Sequence, residues 1–206
     1  MTDLTWFRAP TGDRPHDGAQ DFGTLNACYV ALDIHVIRGR ADDRAIMGSG
    51  VERTFAQLLT DVGAFAGVLR AFGIGAGDEV LASGLTGADD VVVQLAVARL
   101  GAVLVDAASA TAPTVAVHDT TPAGTAPDGR VVITIDTSSE LDKATLMRAG
   151  STDPAGCADV PGDQPLRIIT GQPVATASHL AEVLAGRVDD PVFGPLMSGR
   201  AIIADA

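Results

Sequence analysis

Between residues 54 and 106 the spacing of apolar positions changes repeatedly, and each change marks an element. Phe55, Leu58, Leu59, Val62, Phe65, Ala66, Leu69 and Phe72 recur at the interval of one helix face. Thr54 precedes them, where a hydroxyl accepts a backbone N–H that has no partner inside the helix, so it is the expected N-cap. Gly73 ends this helix, and a turn through Gly75 and Gly77 leads into a short strand over 78–83. A second helix, 86–100, is apolar on nearly every side, which predicts a place between layers rather than on the surface. Gly101 closes it, and 102–105 form a continuous apolar strand. Helix–strand–helix–strand with buried strands predicts a parallel sheet built from right-handed crossovers.

The same reading extends outward. Residues 1–23 form an N-terminal arm, rich in Pro, Gly, Asp and Arg over 8–22. Thr24 is expected to cap a helix whose apolar face is Leu25, Cys28, Tyr29, Leu32 and Val36. Ala45-Ile46-Met47 is a strand candidate that returns through Val51-Glu52-Arg53, with Gly48-Ser49-Gly50 as the turn. Residues 107–129 read as an irregular connection broken by one β-like patch at 114–118, a candidate for an added strand. A strand over 130–136, a helix over 138–148 capped by Ser138 or Ser139, and a loop over 151–165 come next. A strand at 166–170, a helix at 176–185 and a last strand at 201–204 complete a single α/β domain, 24–206.

Composition narrows the function classes. The hydrophobic fraction is 47% but only 4% of residues are aromatic, so alanine and valine do most of the packing. The net charge of −12 and the single lysine, Lys143, argue against nucleic acid and anionic membrane surfaces as partners. Two cysteines, Cys28 and Cys157, are too few for a disulfide framework and read as thiols of a reducing cytoplasm. No signal peptide and no apolar run long enough to span a bilayer is seen, so the expected location is cytoplasmic.

Several constellations favour plain structural readings. Gly73-x-Gly75-x-Gly77 follows a helix and precedes a strand, the reverse of the dinucleotide fingerprint, and reads as a turn. Gly84-x-x-Gly87 has the strand-to-helix order of a phosphate cradle, but Asp89 and Asp90 fill the first helical turn and would repel a phosphate. His16, His35, His118 and His179 lack ligand spacing, so no metal site is expected. His118-Asp119, Asp136 and Ser138 lack the strained elbow of a hydrolase nucleophile. The pairs Asp42-Asp43 and Asp189-Asp190 read as solvated turns.

Trp6-Phe7, Leu25-Asn26, Tyr29, Leu32-Asp33 and His35 resemble the opening of the acetyl- and propionyl-CoA synthetases, AMP-forming ligases of the adenylating-enzyme superfamily. Thr54-Phe55, Gly73-Ile74, Gly77-Asp78 and Ala98-Arg99-Leu100-Gly101-Ala102-Val103 fall at that superfamily's spacing. The resemblance is firm over 24–106 and weaker over 130–206. It implies part of the N-terminal domain of the synthetase fold: a mostly parallel sheet flanked by helices.

The family's phosphate loop is a run of Ser, Thr and Gly ending in Lys-Pro-Lys-Gly, whose amides and lysine hold the ATP phosphates. The strand leading into it resembles 164–170, but the next residues are Gly171-Gln172-Pro173-Val174-Ala175-Thr176, contracted and without lysine. Phe193-Gly194-Pro195-Leu196-Met197-Ser198-Gly199-Arg200-Ala201 resembles a segment that the full enzymes place well after the loop, so an internal piece reads as deleted. Where the synthetases tend to have a Phe-Gly-Gly turn for CoA, Asp106-Ala107-Ala108 stands. The later nucleotide-binding motifs and the small C-terminal domain have no counterpart in these residues.

The resemblance therefore implies a non-catalytic or vestigial homologue, a truncated pseudoenzyme acting as a binding or interaction module. No catalytic residue is assigned and no cofactor is expected. The alternatives are an AMP-forming acid–thiol ligase half-enzyme completed by a partner chain, using ATP, Mg and CoA, and a structural subunit. A homodimer through an apolar face is the expected assembly. Any ligand is first sought at Thr170, Gly171 and Gln172, because open α/β sheets bind beyond the carboxyl ends of their strands.

Overall fold

The computed structural model describes residues 4–11, 20–48, 50–107, 114–118, 124–125, 131–134 and 142–204. In chain order the elements are β1 (Thr24–Leu25), a π-helical turn (Tyr29–Asp33) continued by α1 (Ile34–Ile37), β2 (Arg44–Gly48), β3 (Val51–Thr54) and α2 (Phe55–Ala71). Next come β4 (Glu79–Ser83), α3 (Gly87–Leu100), β5 (Val103–Val105), β6 (Val115–His118), β7 (Gly124–Thr125), β8 (Val131–Thr134) and α4 (Lys143–Gly150). The chain continues through β9 (Val160–Pro161), β10 (Pro165–Ile169), β11 (Gln172–Ala175), α5 (Thr176–Leu184), α6 (Phe193–Met197) and β12 (Ile202–Ile203).

The main sheet runs in the order β11-β10-β5-β4-β6-β8-β7. Its five inner strands are parallel and both edge strands are antiparallel, the mostly parallel sheet expected. The β-like patch at 114–118 supplies β6, which lies between β4 and β8 rather than at an edge. The predicted β2–β3 hairpin forms with β12 in a separate three-stranded sheet; Ser49 of its turn lies outside the described residues. No helix among the described residues is long and apolar enough to cross a membrane.

Helix α2 starts where its sequence says it should. The Thr54 hydroxyl accepts from the Gln57 amide at 3.2 Å, and the Gln57 side chain accepts from the Thr54 amide at 3.0 Å. α3 buries Val91, Val92, Val93, Leu95, Ala96, Val97, Ala98 and Leu100, and packs against α2 and against β4 and β5. Gly101 ends it in the left-handed region, φ 69°, and an added Cβ there would lie 2.7 Å from Val160 Cγ2. On the other face of the sheet Ile168, Val105, Leu81, Ala116 and Val132 align in register, one from each parallel strand, as a second and smaller apolar row.

Three local expectations are corrected. Thr24 does not cap the first helix; it is in β1, paired with Pro161, and Asn26 caps instead by accepting from the Tyr29 amide at 3.2 Å. The fourth helix is capped by Asp142, whose Oδ1 accepts from the Thr145 amide at 2.7 Å, while Ser138 and Ser139 lie outside the described residues. Asp190 is not a solvated turn residue, being only 3% exposed. Its carboxylate accepts from His179 at 2.8 Å and from the Val192 and Phe193 amides at 2.9 and 2.8 Å, with Arg167 at 3.0 Å.

Asn26 fastens the C-terminal half to the rest, and Asp190 ties segments within that half together. The fully buried Asn26 donates its Nδ2 hydrogens to the carbonyls of Ala98, Arg99 and Ala158 at 3.1, 3.0 and 2.9 Å. Asn26→Asp replaces these donors with an acceptor facing three carbonyls, and is expected to cost about 3 kcal/mol in urea unfolding; a cost within error of zero would contradict the assignment. At Asp190, burial disfavours the charge, but the His179 hydrogen bond, the Arg167 charge and the two amides outweigh it and hold the carboxyl at about 2. Because the folded value is depressed, the stability it contributes, about 2 kcal/mol, is present above about pH 4 and lost as pH falls through about 2. Unfolding measured from pH 5 to pH 2 should fall less steeply in Asp190→Asn than in the wild type; parallel curves would contradict the pairing.

Candidate functional site

In the main sheet the connection through α3 carries the chain from β4 to β5 on one side, and β6 then adds on the other side of β4. The strand order thus reverses between β4 and β6, and the crevice beyond their carboxyl ends is where such sheets hold ligands. Ser83 and His118, aligned in register, are the last strand residues at that point. Beyond Ser83 the chain turns at Gly84, φ 72°, and enters α3 with Asp89 and Asp90 in the first helical turn. Lys143 enters from the start of α4, which follows β8.

Arg53, Asp61, Asp89, Lys143 and Met147, from β3, α2, α3 and α4, line a cleft of about 430 Å³. Lys143 pairs with Asp89, and Arg53 with Asp61 at 3.0 Å. Burial lowers the Lys143 pKa, with Asp61 opposing and Arg53 reinforcing the shift. Asp90 moves the other way: burial raises its carboxyl, against a hydrogen bond from Gln94 at 2.9 Å. The two cations are matched by two carboxylates, so an incoming anion must displace Asp89 or Asp61 to gain either charge. Sequence reasoning missed this cleft, although the only lysine, placed after a parallel strand, was a signal for it.

Thr170, Gly171 and Gln172 lie at a different edge, since β5, β4 and β6 separate β10 from β8. Thr170 and Gly171 are the two turn residues of the β10–β11 hairpin, at φ 48° and 76°. Two successive left-handed residues are the requirement of a type I′ turn, so the hairpin closes in the shortest common way. Ile169 pairs with Gln172, Ile168 with Pro173 and Arg167 with Val174. All three predicted residues are exposed, and the Thr170 amide faces Asp106 Oδ2 at 3.5 Å.

The remaining singled-out groups have structural surroundings. The turn over 73–78 is held by Asp78, which accepts from the Gly75 amide at 2.8 Å. The buried His35 lies against Phe55, with ring centroids 4.8 Å apart and the planes tilted by 44°, and His118 ends β6. Asp119, Asp136, Ser138 and His16 lie outside the described residues. Cys28 and Cys157, far apart in sequence, are brought together: their Sγ atoms and an Asp33 oxygen lie within 4.8 Å of one another. Arg99 reaches into this cluster, donating from Nη1 to Asp33 at 2.8 Å and to Cys28 Sγ at 3.5 Å. A guanidinium in that position opposes a metal cation, and nothing in the sequence foretold the meeting.

Comparison with known proteins places this geometry. The chain is similar to acetyl-coenzyme A synthetase 2 of Debaryomyces hansenii, 36% identical across 49% of this chain and 16% of that protein. The acetyl-coenzyme A synthetase of Rubrobacter xylanophilus is 31% identical across 64% of this chain and 21% of its own length. The chain therefore spans about a fifth or less of these relatives. A crystal structure of a Brucella canis acyl-CoA synthetase matches with a TM-score of 0.68 over 90% of this chain and 44% of that one, at 17% identity, a likeness of fold. The profile of the AMP-binding enzymes matches residues 35–144, more than half of the sequence, so the chain belongs to the AMP-binding enzyme family.

Proposed function

We propose that this chain is an acyl-CoA synthetase-like scaffold that does not adenylate carboxylic acids by itself and acts as a binding or interaction module. One observation carries the reading. A phosphate cradle presents several consecutive backbone N–H groups to the anion, whereas residues 172–175 pair with β10 in a hairpin closed by two residues. Neither hairpin strand contains a lysine, and Arg167 on β10 is already engaged by Asp190. At the Lys143 cleft both cations are matched by carboxylates, so the cleft offers no ready counter-charge for a triphosphate. ATP–pyrophosphate exchange with acetate, propionate or butyrate should stay at the level of a protein-free control. Exchange that depends on both acid and protein would overturn the proposal.

A half-enzyme completed by a partner chain is the second reading. It is favoured by the likeness of fold to a solved synthetase over 90% of this chain and 44% of that one, a scaffold that another part could complete. Mg-ATP separates the two, because a half-site that binds nucleotide raises the melting temperature and an inert scaffold does not.

As an interaction module the chain is proposed to form a homodimer through apolar surface. Ile37 and Ile203 are 68% and 63% exposed, and Ile203 lies on β12, at one edge of the three-stranded sheet. Light scattering at micromolar concentration should give twice the 20.9 kDa chain mass, and Ile203→Asp should shift it toward the monomer. A monomeric wild type at that concentration would count against a dimer.

A further inference from the structure

Cys28 belongs to the main core, and the fold sets it beside Cys157. A buried cysteine usually behaves as a small apolar side chain, and one alone carries no chemistry. Here two thiols from distant segments face one carboxylate: Cys28 Sγ lies 3.8 Å and Cys157 Sγ 3.7 Å from Asp33 Oδ2. The π-helical turn over Tyr29–Asp33 makes this possible. Widening the helix toward an i to i+5 repeat brings residues 28 and 33 onto one side, where a regular α-helix would splay them apart.

The partner segment is held on both sides of Cys157. Ala155 accepts from Arg99 Nε at 2.7 Å, and Ala158 accepts from Asn26 Nδ2 at 2.9 Å. The Ala158 amide in turn donates to the Arg99 carbonyl at 2.8 Å. The sulfurs are therefore kept near each other by groups other than themselves, and from within 4.8 Å they must close to a bond of about 2.05 Å. Access differs between them, since Cys28 is fully buried and Cys157 is half-buried.

We propose that Cys28 and Cys157 are a redox-active dithiol, with Cys157 the attacking and Cys28 the resolving thiol, which closes to an intramolecular disulfide by exchange with a small disulfide. Cys157, as thiolate, attacks one sulfur of a low-molecular-weight disulfide. The S–S bond breaks, a mixed disulfide forms on Cys157, and the first small thiol leaves carrying a proton. Cys28 then attacks the Cys157 sulfur, forming the internal S–S bond and expelling the second small thiol, also protonated. Two protein thiols and one small disulfide become one protein disulfide and two small thiols, so atoms and electrons balance.

The surroundings assign these roles. Burial pushes the Cys28 thiol up, with Cys157 adding to the shift and Arg99 opposing it, so Cys28 is the poorer first nucleophile. Within the mixed disulfide, Asp33 Oδ2 faces the Cys28 thiol at 3.8 Å and Arg99 Nη1, 3.5 Å away, steadies the thiolate. The product bond ties the first helix to the 155–158 segment across most of the chain.

Oxidised glutathione tests the proposal on the full chain. After incubation, acid quench and alkylation in denaturant, the wild type should be lighter by two hydrogens, carry no alkyl group and yield a peptide joining Cys28 to Cys157. Cys28→Ser should instead stop at a glutathione adduct on Cys157. The melting temperature should rise on oxidation in the wild type and not in Cys157→Ser. A wild type in which both thiols remain alkylatable would overturn the proposal, as would a glutathione adduct that persists on wild-type Cys157. Either result is read from the wild type alone, so it stands whether or not the variants fold.

Discussion

The end of α3 is the point on which the architecture turns. A helix C-terminus leaves carbonyls without intrahelical partners, and burying them uncapped is costly. Here the Ala98 and Arg99 carbonyls accept from the Asn26 side-chain amide, while the Arg99 side chain donates to Asp33 and to the Ala155 carbonyl. Burial works against the Arg99 charge, but Cys28, Asp33 and Cys157 more than compensate and raise its pKa. One turn of helix thus joins the N-terminal helix, the central α3 and the 155–158 segment. An apolar residue at 26 would bury just as well and take the side-chain donor from the Ala158 carbonyl, and one at 99 would take it from the Ala155 carbonyl.

From this fixed point the carboxyl edge of the sheet takes its character. α3 starts with two acidic residues at the place where a phosphate-binding helix would present bare amides. Asp89 is satisfied by the only lysine in the chain, and Asp61 by Arg53. Farther along the same carboxyl edge β10 turns straight back into β11, so 172–175 are held as a strand against β10. A scaffold of the AMP-binding enzymes is therefore combined with a rim whose charges and amides are largely satisfied from within.

Much of the fold was legible in the sequence where local signals agree. Thr54 and Gln57, the glycine at 73 and the all-round apolar pattern of 87–100 each have one structural solution, and each is observed. Errors fall where a side chain serves a distant partner. Thr24 is a good cap by type, but the Asn26 amide also satisfies three remote carbonyls, so the helix starts there and Thr24 joins β9. Asp190 looks solvated because it forms an acidic pair with Asp189 before a proline, and only the fold delivers His179 and Arg167 to it. The candidate site was less legible still. The position of Lys143 relative to Asp89, and of Cys28 relative to Cys157, depends on the packing of α4 and of the 155–158 segment, which no local pattern encodes.

The central claim is that the segment after β10 is a hairpin with no grip on phosphate. Titrating Mg-ATP into the isotopically labelled full chain and following the amide resonances of 170–176 tests it most directly. Those amides are expected to hold their chemical shifts at millimolar nucleotide, with Ile169 and Gln172 remaining in cross-strand register. Saturable shifts centred on 170–176 would contradict it, and would show a nucleotide-binding loop where a hairpin is described.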